Sequence, residues 1–404
     1  MKNFLRGIIV YVLTCEAKLL LKRHKPKIIA ITGSVGKTST KDAIYMAIKG
    51  QVSARKSEKS FNSEIGIPLT VLGLPNAWNN PFSWLKNLID GFLVALFSRQ
   101  YPDVLVLEAG IDRKGDMHKL KKWLSPDIVV LTRLPKVPVH VEYFDSPEAV
   151  VAEKMVLVSA MKPEGLLIYN HDDEIIKQQL PNVIQRQVGF GRYLETDFTA
   201  RGDRVTYQDD IPDGVEFEIA HQGVNHIVKI KNTVGTQHVF SSLGAVAVAY
   251  ELGVSLETAT KGLSELETPP GRMRIVPGIK ATTIIDDSYN SSPIAVDQAL
   301  QALNELSYAK RKIAVLGDML ELGKYSTDEH VRIGAITAEA TDILITVGVR
   351  SRNIAKGALA QGMSEKNIFQ YEDVARAGRE LQNMLQPNDV VLVKASQSIR
   401  LERL

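Results

Sequence analysis

The stretch IIAITGSVGKTSTKDAI, residues 28–44, decides the reading of this chain. An apolar run ends at Thr32, two glycines follow at 33 and 36, and Lys37 and Thr38 open a segment fit for a helix. Strand, tight turn and helix in that order leave backbone N–H groups and a helix dipole pointing at one spot, which favours an anion. The common phosphate-loop pattern G-x-x-x-x-G-K-[ST] asks for a further glycine where this chain has Ile31. The loop therefore belongs to a shorter kind, or the segment is an ordinary turn with a surface lysine. On the first reading Gly33, Ser34, Gly36, Lys37, Thr38 and Ser39 contact a nucleotide. Lys37 then reaches the β- and γ-phosphates, and the Thr38 hydroxyl serves a Mg²⁺.

The bulk numbers narrow the class. The chain has 404 residues, 45% hydrophobic and 24% charged, as in ordinary globular proteins. A net charge of +3 with scattered basic residues speaks against nucleic acid as a partner. The single cysteine, Cys15, excludes a disulfide scaffold and a cysteine-based zinc site. Residues 1–26 are apolar but broken by Arg6, Glu16 and Lys18, and a transmembrane helix needs about 20 apolar residues. A secretory leader is an alternative, but a nucleotide motif this close behind belongs in the cytoplasm. The segment is expected to form an amphipathic helix packed on the domain, with peripheral membrane contact through residues 1–22 as the other reading.

Along the chain, KIIAIT (27–32), DVLVLEAG (103–110), DIVVLT (127–132) and GLLIYN (165–170) read as buried parallel strands. From Gln187 to Val234 apolar and polar residues alternate, which predicts antiparallel hairpins. ETPPGRMR (267–274) looks like an interdomain joint. Strands return in ATTIIDD (281–287), KIAVLGD (312–318), DILITVG (342–348) and DVVLVKA (389–395). The expected architecture is α/β: a central P-loop ATPase domain (27–268) with a mainly parallel sheet and a small antiparallel insertion, then a Rossmann-like α/β C-terminal domain (269–404). The Trp-rich insert at residues 74–97 reads as packing rather than as a substrate or membrane surface.

Polar residues gather where strands end, which is where open parallel sheets bind ligands. Glu108 closes an apolar strand, and a carboxylate there needs a metal or a basic partner. His140 and Lys154 carry little meaning alone.

Their meaning comes from a resemblance. TGSVGKTSTK, FNSEIGIPLTVL (61–72), LEAGIDRKGDM (107–117), VHVEYFDSPEAVVAEKMVL, PPGRM, IDDSYNSSP, VLGDMLELG and LVKASQS follow one another as the motif blocks do in the Mur ligase family. The chain is similar in particular to the branch that adds D-alanyl-D-alanine to a muramoyl tripeptide. The resemblance implies an ATP-dependent amide ligase of peptidoglycan precursor synthesis, acting in the cytoplasm through an acyl phosphate. Its partners would be a nucleotide-sugar peptide and a dipeptide amine. It also implies roles. Lys37, His140 and Lys154 would be catalytic. Thr38, Glu108, His140 and Lys154 would serve two Mg²⁺ ions, Lys154 as a carbamate. His238, Arg272, Asp287, Tyr289 and Asn290 would contact ATP, and Asn62, Lys394 and Ser396 the substrates.

The chain departs from that pattern in places. GTQHVFSS replaces the adenine-side segment, placing Gln237, His238 and Ser241 where the family has histidine and two asparagines. KASQ puts Gln397 in place of an arginine on the acceptor side. Only a short segment precedes the first strand, where family members carry a domain that holds the UDP-sugar. The alternatives are therefore a ligase for another carboxylate, as in poly-amino-acid or folate chain extension, and a nucleotide-binding regulator without ligation.

Overall fold

The computed structural model describes residues 2–404 apart from 59–60, 194–195 and 210, with side chains from residue 5 onward. Two sheets organise it. The first contains β1 (Lys27–Thr32), β2 (Ala54–Lys56), β3 (Val104–Glu108), β4 (Ile128–Leu131), β5 (Leu166–Asn170), β6 (Arg186–Gly191), β7 (Phe198–Gln208), β8 (Ile211–His221) and β9 (Val224–Lys231). Their spatial order is β2-β3-β1-β4-β5-β6-β7-β8-β9. Pairing is parallel as far as β7 and antiparallel from β7 to β9. The predicted hairpins thus begin one strand later than Gln187. RQVGFG has no continuous apolar run, yet it extends the parallel sheet.

β1 lies between β3 and β4, so the chain leaves it at a switch point of the sheet. Its alternating faces feed two cores. Ile29 and Ile31 pack against Ala43, Ile44 and Ile48 of α1's successor in the chain, the helix Lys37–Ile48. Ile28 and Ala30 face a cluster with Leu13, Ala17 and Leu20 from α1 (Lys2–His24). Each fully buried Leu or Ile there contributes about 1.5–3 kcal/mol. The helix Lys37–Ile48 is α2; α3 (Gly66–Leu72) and α4 (Pro81–Phe97) follow.

α1 packs on the first sheet through Leu13, Ala17 and Leu20, and its outer side mixes exposed Leu5, Ile8, Tyr11 and Leu19 with Arg6, Lys18, Lys22 and Arg23. The insert carrying α4 departs from expectation. Asn87, Gly91 and Ala95 form the buried strip of α4, while most of its large apolar side chains face outward. The small strip lets α4 lie close beside α1, and its far side keeps large apolar side chains exposed. Gly91 sits directly over Glu16, where a Cβ would come within 2.2 Å of the Glu16 Oε2. Among the described residues no helix is long and apolar enough to cross a membrane.

The second sheet holds β10 (Arg274–Pro277), β11 (Thr283–Asp286), β12 (Arg311–Gly317), β13 (Ile343–Val347), β14 (Ile368–Tyr371) and β15 (Asp389–Lys394), in the order β10-β11-β15-β12-β13-β14. All pairs are parallel except β10–β11. Helices cover both faces, giving two cores. The two units are sewn together just before β10: Thr233 and Arg274 form an isolated antiparallel bridge, and Val234 is buried in the second unit's core.

Candidate active site

The loop after β1 is fixed by its neighbours. Gly33 has φ 145°, and a Cβ there would stand 2.1 Å from Thr132 Oγ1, so no larger residue fits. Gly36 caps α2 in the left-handed region at φ 87°. Thr132 donates from Oγ1 to the Val35 carbonyl at 2.6 Å, and the Ser34 N–H donates to the Arg133 carbonyl at 2.7 Å. The buried Ser34 Oγ has no protein partner, as suits a group waiting for a ligand oxygen. The loop, α2's N-terminus and Lys37 therefore form a cradle suited to phosphate.

Two lysines meet behind it. Lys37 Nζ and Lys154 Nζ each lie 3.0 Å from the Gly33 carbonyl oxygen. Burial lowers the affinity of both amines for a proton, and Lys154 is held well below the ordinary 10.5, with Lys37 adding to the effect. Lys154 comes from the helix at Pro147–Val158, which starts at a Ser146 cap with Pro147 behind it.

At the other side of the cradle, Thr38 donates from Oγ1 to Glu108 Oε2 at 2.9 Å, and Asn62 Nδ2 donates to Glu108 Oε1 at 3.3 Å. The second unit reaches in through Arg272, whose Nη2 donates to Thr38 Oγ1 at 3.3 Å while its guanidinium lies 4.2 Å from the Tyr289 ring centroid. Gly271 makes that turn possible: its φ is 73°, and its carbonyl accepts from the Tyr289 N–H at 3.2 Å.

His140 adopts φ 69°, uncommon for a residue other than glycine, and its Nδ1 stands 2.6 Å from Glu321 Oε2. That contact holds the Glu321 carboxyl below its ordinary value. Glu321 comes from the second unit, so this contact bridges the two. Sequence reasoning quoted the block that contains Glu321 but gave the residue no role. Asp112 is a second residue it passed over: it lines the same cavity, and its charge acts on both Lys37 and Lys154.

The cavity enclosed between the units has a volume of about 420 Å³. Ser34, Gly36, Lys37, Thr38, Ser39, Asn62, Glu108, His140, His238, Arg272, Asp287, Tyr289, Asn290, Lys394 and Ser396 all line it. Gly33 and Lys154 lie just behind the loop. Several of these residues are already engaged. Lys394 Nζ donates to Asp287 Oδ2 at 2.5 Å and to the Asn290 carbonyl at 2.9 Å. Ser396 Oγ accepts from the Leu320 N–H at 2.9 Å, and so pins the segment that presents Glu321. The Thr233 hydroxyl donates to the Met273 carbonyl at 2.9 Å, so at 2.7 Å it accepts from His238 Nε2. Burial lowers the His238 imidazole to about 4, which keeps it neutral. A second, more apolar groove of about 1730 Å³ leads from Thr38 and Arg272 past Phe61 to Trp84, Leu5 and Ile9.

Comparison with known proteins identifies this arrangement. The profile of the Mur ligase middle domain matches residues 31–249, and that of the Mur ligase glutamate ligase domain matches residues 271–397. The chain belongs to the Mur ligase family. Mur ligases are ATP-dependent enzymes that form amide bonds. The UDP-N-acetylmuramoyl-tripeptide–D-alanyl-D-alanine ligase of Bacillus subtilis is 28% identical over 395 residues, covering 96% of this chain and 77% of that enzyme. The enzyme of the same name from Mycobacterium leprae is 31% identical over 411 residues, covering 93% of this chain and 72% of its own length. Among solved structures, the MurF ligase of Thermotoga maritima in complex with ADP shares the fold at a TM-score of 0.78, with 24% identity and coverage of 98% of this chain and 82% of that one. MurF from Acinetobacter baumannii superposes with a TM-score of 0.79 at 22% identity, covering 97% and 78%. The α/β fold read from the sequence is the Mur ligase fold.

Proposed function

We propose that this protein is an ATP- and Mg²⁺-dependent amide ligase that joins D-alanyl-D-alanine to a muramoyl peptide in the cytoplasm. The observation that carries the reading is the convergence of Lys37, Thr38 and Glu108 from the first unit with Arg272 and Glu321 from the second on one cavity, with Lys154 behind the loop on the Gly33 carbonyl. A nucleotide-binding regulator has no need of a buried lysine with a weakened hold on its proton behind its phosphate loop.

The residues fit the ions the reaction requires. Thr38 Oγ1 and Glu108 Oε2 form a hard oxygen pair beside the phosphate cradle, the kind of partial set that suits Mg²⁺ completed by phosphates and water. With Glu321 Oε2 standing against Nδ1, Nε2 is the ring nitrogen that would serve a second ion. Mg²⁺ at these places would neutralise charge on the phosphates. An uncharged Lys154 amine is the form that takes up CO₂, and the resulting carbamate would supply an anion beside that ion.

The chain's own groups would then act as follows. Lys37 and the loop N–H groups hold the β- and γ-phosphates, and Arg272 balances charge on the γ-phosphate. A substrate carboxylate oxygen attacks the γ-phosphorus, ADP leaves, and an acyl phosphate forms. The amine nitrogen attacks the acyl carbon, a tetrahedral intermediate collapses, and phosphate leaves as the amide forms. Positioning and charge neutralisation supply the rate. Asn62, hydrogen-bonded to Glu108, stands where the groove meets the cavity and would face the carboxylate substrate.

Phosphate release tests the proposal. UDP-muramoyl tripeptide and D-alanyl-D-alanine are added to purified protein with ATP, singly and together, beside other carboxylate–amine pairs. Release that needs both partners is expected. Turnover that ignores this pair and follows another would reassign the substrate, and turnover indifferent to every pair would remove ligation.

A further inference from the structure

α4 presents an uncovered apolar face. Phe82, Leu85, Ile89, Phe92, Leu96 and Phe97 all lie on its outward side, and Phe82 is 81% exposed. α1 lies alongside and exposes Leu5, Ile8, Tyr11 and Leu19. Trp78, at the entrance to α4, is 70% exposed in a loop held by its carbonyl, which accepts from Trp84 Nε1 at 2.9 Å. Soluble monomers rarely leave so continuous an apolar patch open to water.

The exposed charges carried by α1 and α4 themselves have one sign, with Glu64 beside them paired to Arg6 at 3.2 Å. Lys18, Lys22 and Arg23 on α1 and Lys86 on α4 are exposed, and none of the exposed residues of α1 or α4 among those described is acidic. Glu16 is buried, and Asp90 is only partly accessible. An apolar face fringed by lysine and arginine, with a Trp and a Tyr at its edge, is the composition of a helix lying in the plane of an anionic bilayer. α4 is 17 residues long, and among the described residues no helix is long and apolar enough to cross a membrane. A second copy of the chain fits less well, because a self-complementary contact would bring the exposed lysines and arginines of two copies together.

We propose that α1 and α4 form a docking face for an anionic lipid surface, into which the outward side chains of α4 insert. The large groove opens between Leu5, Ile9 and Trp84 at this face and runs to Thr38 and Arg272. Docking therefore sets the groove's apolar mouth against the lipid while the phosphate cradle stays in water. This inference does not depend on the ligase reading, because binding is measured without turnover.

Co-sedimentation of the full chain with vesicles tests it. With equal parts of phosphatidylglycerol and phosphatidylcholine the protein is expected to pellet, and Trp emission to shift to the blue. Phosphatidylcholine alone should retain about 10-fold less or lower. Lys18→Gln, Lys22→Gln and Lys86→Gln should each weaken binding about 5-fold, the equivalent of about 1 kcal/mol per charge near the surface. Phe92→Glu with Leu96→Glu should abolish pelleting while nucleotide binding and the unfolding temperature are kept. A wild-type protein that stays in solution with anionic vesicles overturns the proposal. So does a wild-type dimer in lipid-free buffer that the same double variant converts to monomer, which would assign the face to a second copy.

Discussion

Lys37 and Lys154 share one acceptor, the carbonyl oxygen of Gly33, each at 3.0 Å. Two ammonium groups cannot both sit there cheaply, and burial depresses both. The phosphate loop is thus braced from behind by an amine whose hold on its proton is weakened by burial. Lys154→Ala is expected to lower ligation about 100-fold or more, in the range seen when one charge-stabilising group is lost. A small carboxylate such as acetate should restore part of it, and bicarbonate should raise the wild-type rate. Intact-protein mass should show one bound CO₂ in the wild type only. Unchanged turnover in Lys154→Ala would remove the role.

The contact between His140 and Glu321 joins the two units and fixes the imidazole. Glu321→Gln keeps the shape and removes the charge. It should cost about 10–100-fold in activity, as losses of partners behind metal-binding histidines do. The dependence on Mg²⁺ concentration should move to higher values while thermal stability changes little. A rate loss without any Mg²⁺ shift would assign the pair to interdomain geometry alone.

Asp287 and Lys394 present a choice between substrate contact and structure. Both are buried and the ion pair between them is short. Lys394→Met leaves Asp287 without its cation and is expected to destabilise the second unit by about 3–5 kcal/mol. Lys394→Met combined with Asp287→Asn should recover most of that, measured by urea unfolding. A single variant as stable as the wild type, yet raised in KM for the amine, would instead return Lys394 to the acceptor site.

Glu16 sits between α1 and α4 beneath Gly91, its Oε2 has no hydrogen-bond partner, and burial raises its carboxyl to about 7. The unfolded chain releases this proton near the ordinary 4.5, whereas the folded chain keeps it until about 7. The folded state therefore binds more protons in that window, and stability falls as pH rises from about 4.5 to about 7. Glu16→Gln should flatten that part of the profile and stabilise the protein at pH 8. An identical slope in both proteins would place the titration elsewhere.

The sequence was most legible where burial imposes a simple pattern. KIIAIT is β1 to the residue, because a strand covered on both faces must be apolar throughout. The shortened phosphate loop was legible because only glycine tolerates the approach of Thr132. β2, β10 and β14, of three or four residues each, carry too little pattern to be seen. Glu321 had a motif around it, but its contact with His140 is set by how two sheets meet, which no local spacing encodes. α4 was misjudged for a different reason: apolar content shows what a helix can bury, not whether anything covers it.

Thr38 is held on both sides. Its hydroxyl has one proton, which goes to Glu108, and its lone pairs face Arg272. A guanidinium from the second unit thus meets the same hydroxyl as a carboxylate from the first. Arg272 belongs to the turn that leads into the second sheet, so on the proposed function a cation serving Thr38 would compete with that turn for one oxygen. Whatever alters the surroundings of Thr38 is for that reason felt by both units at once.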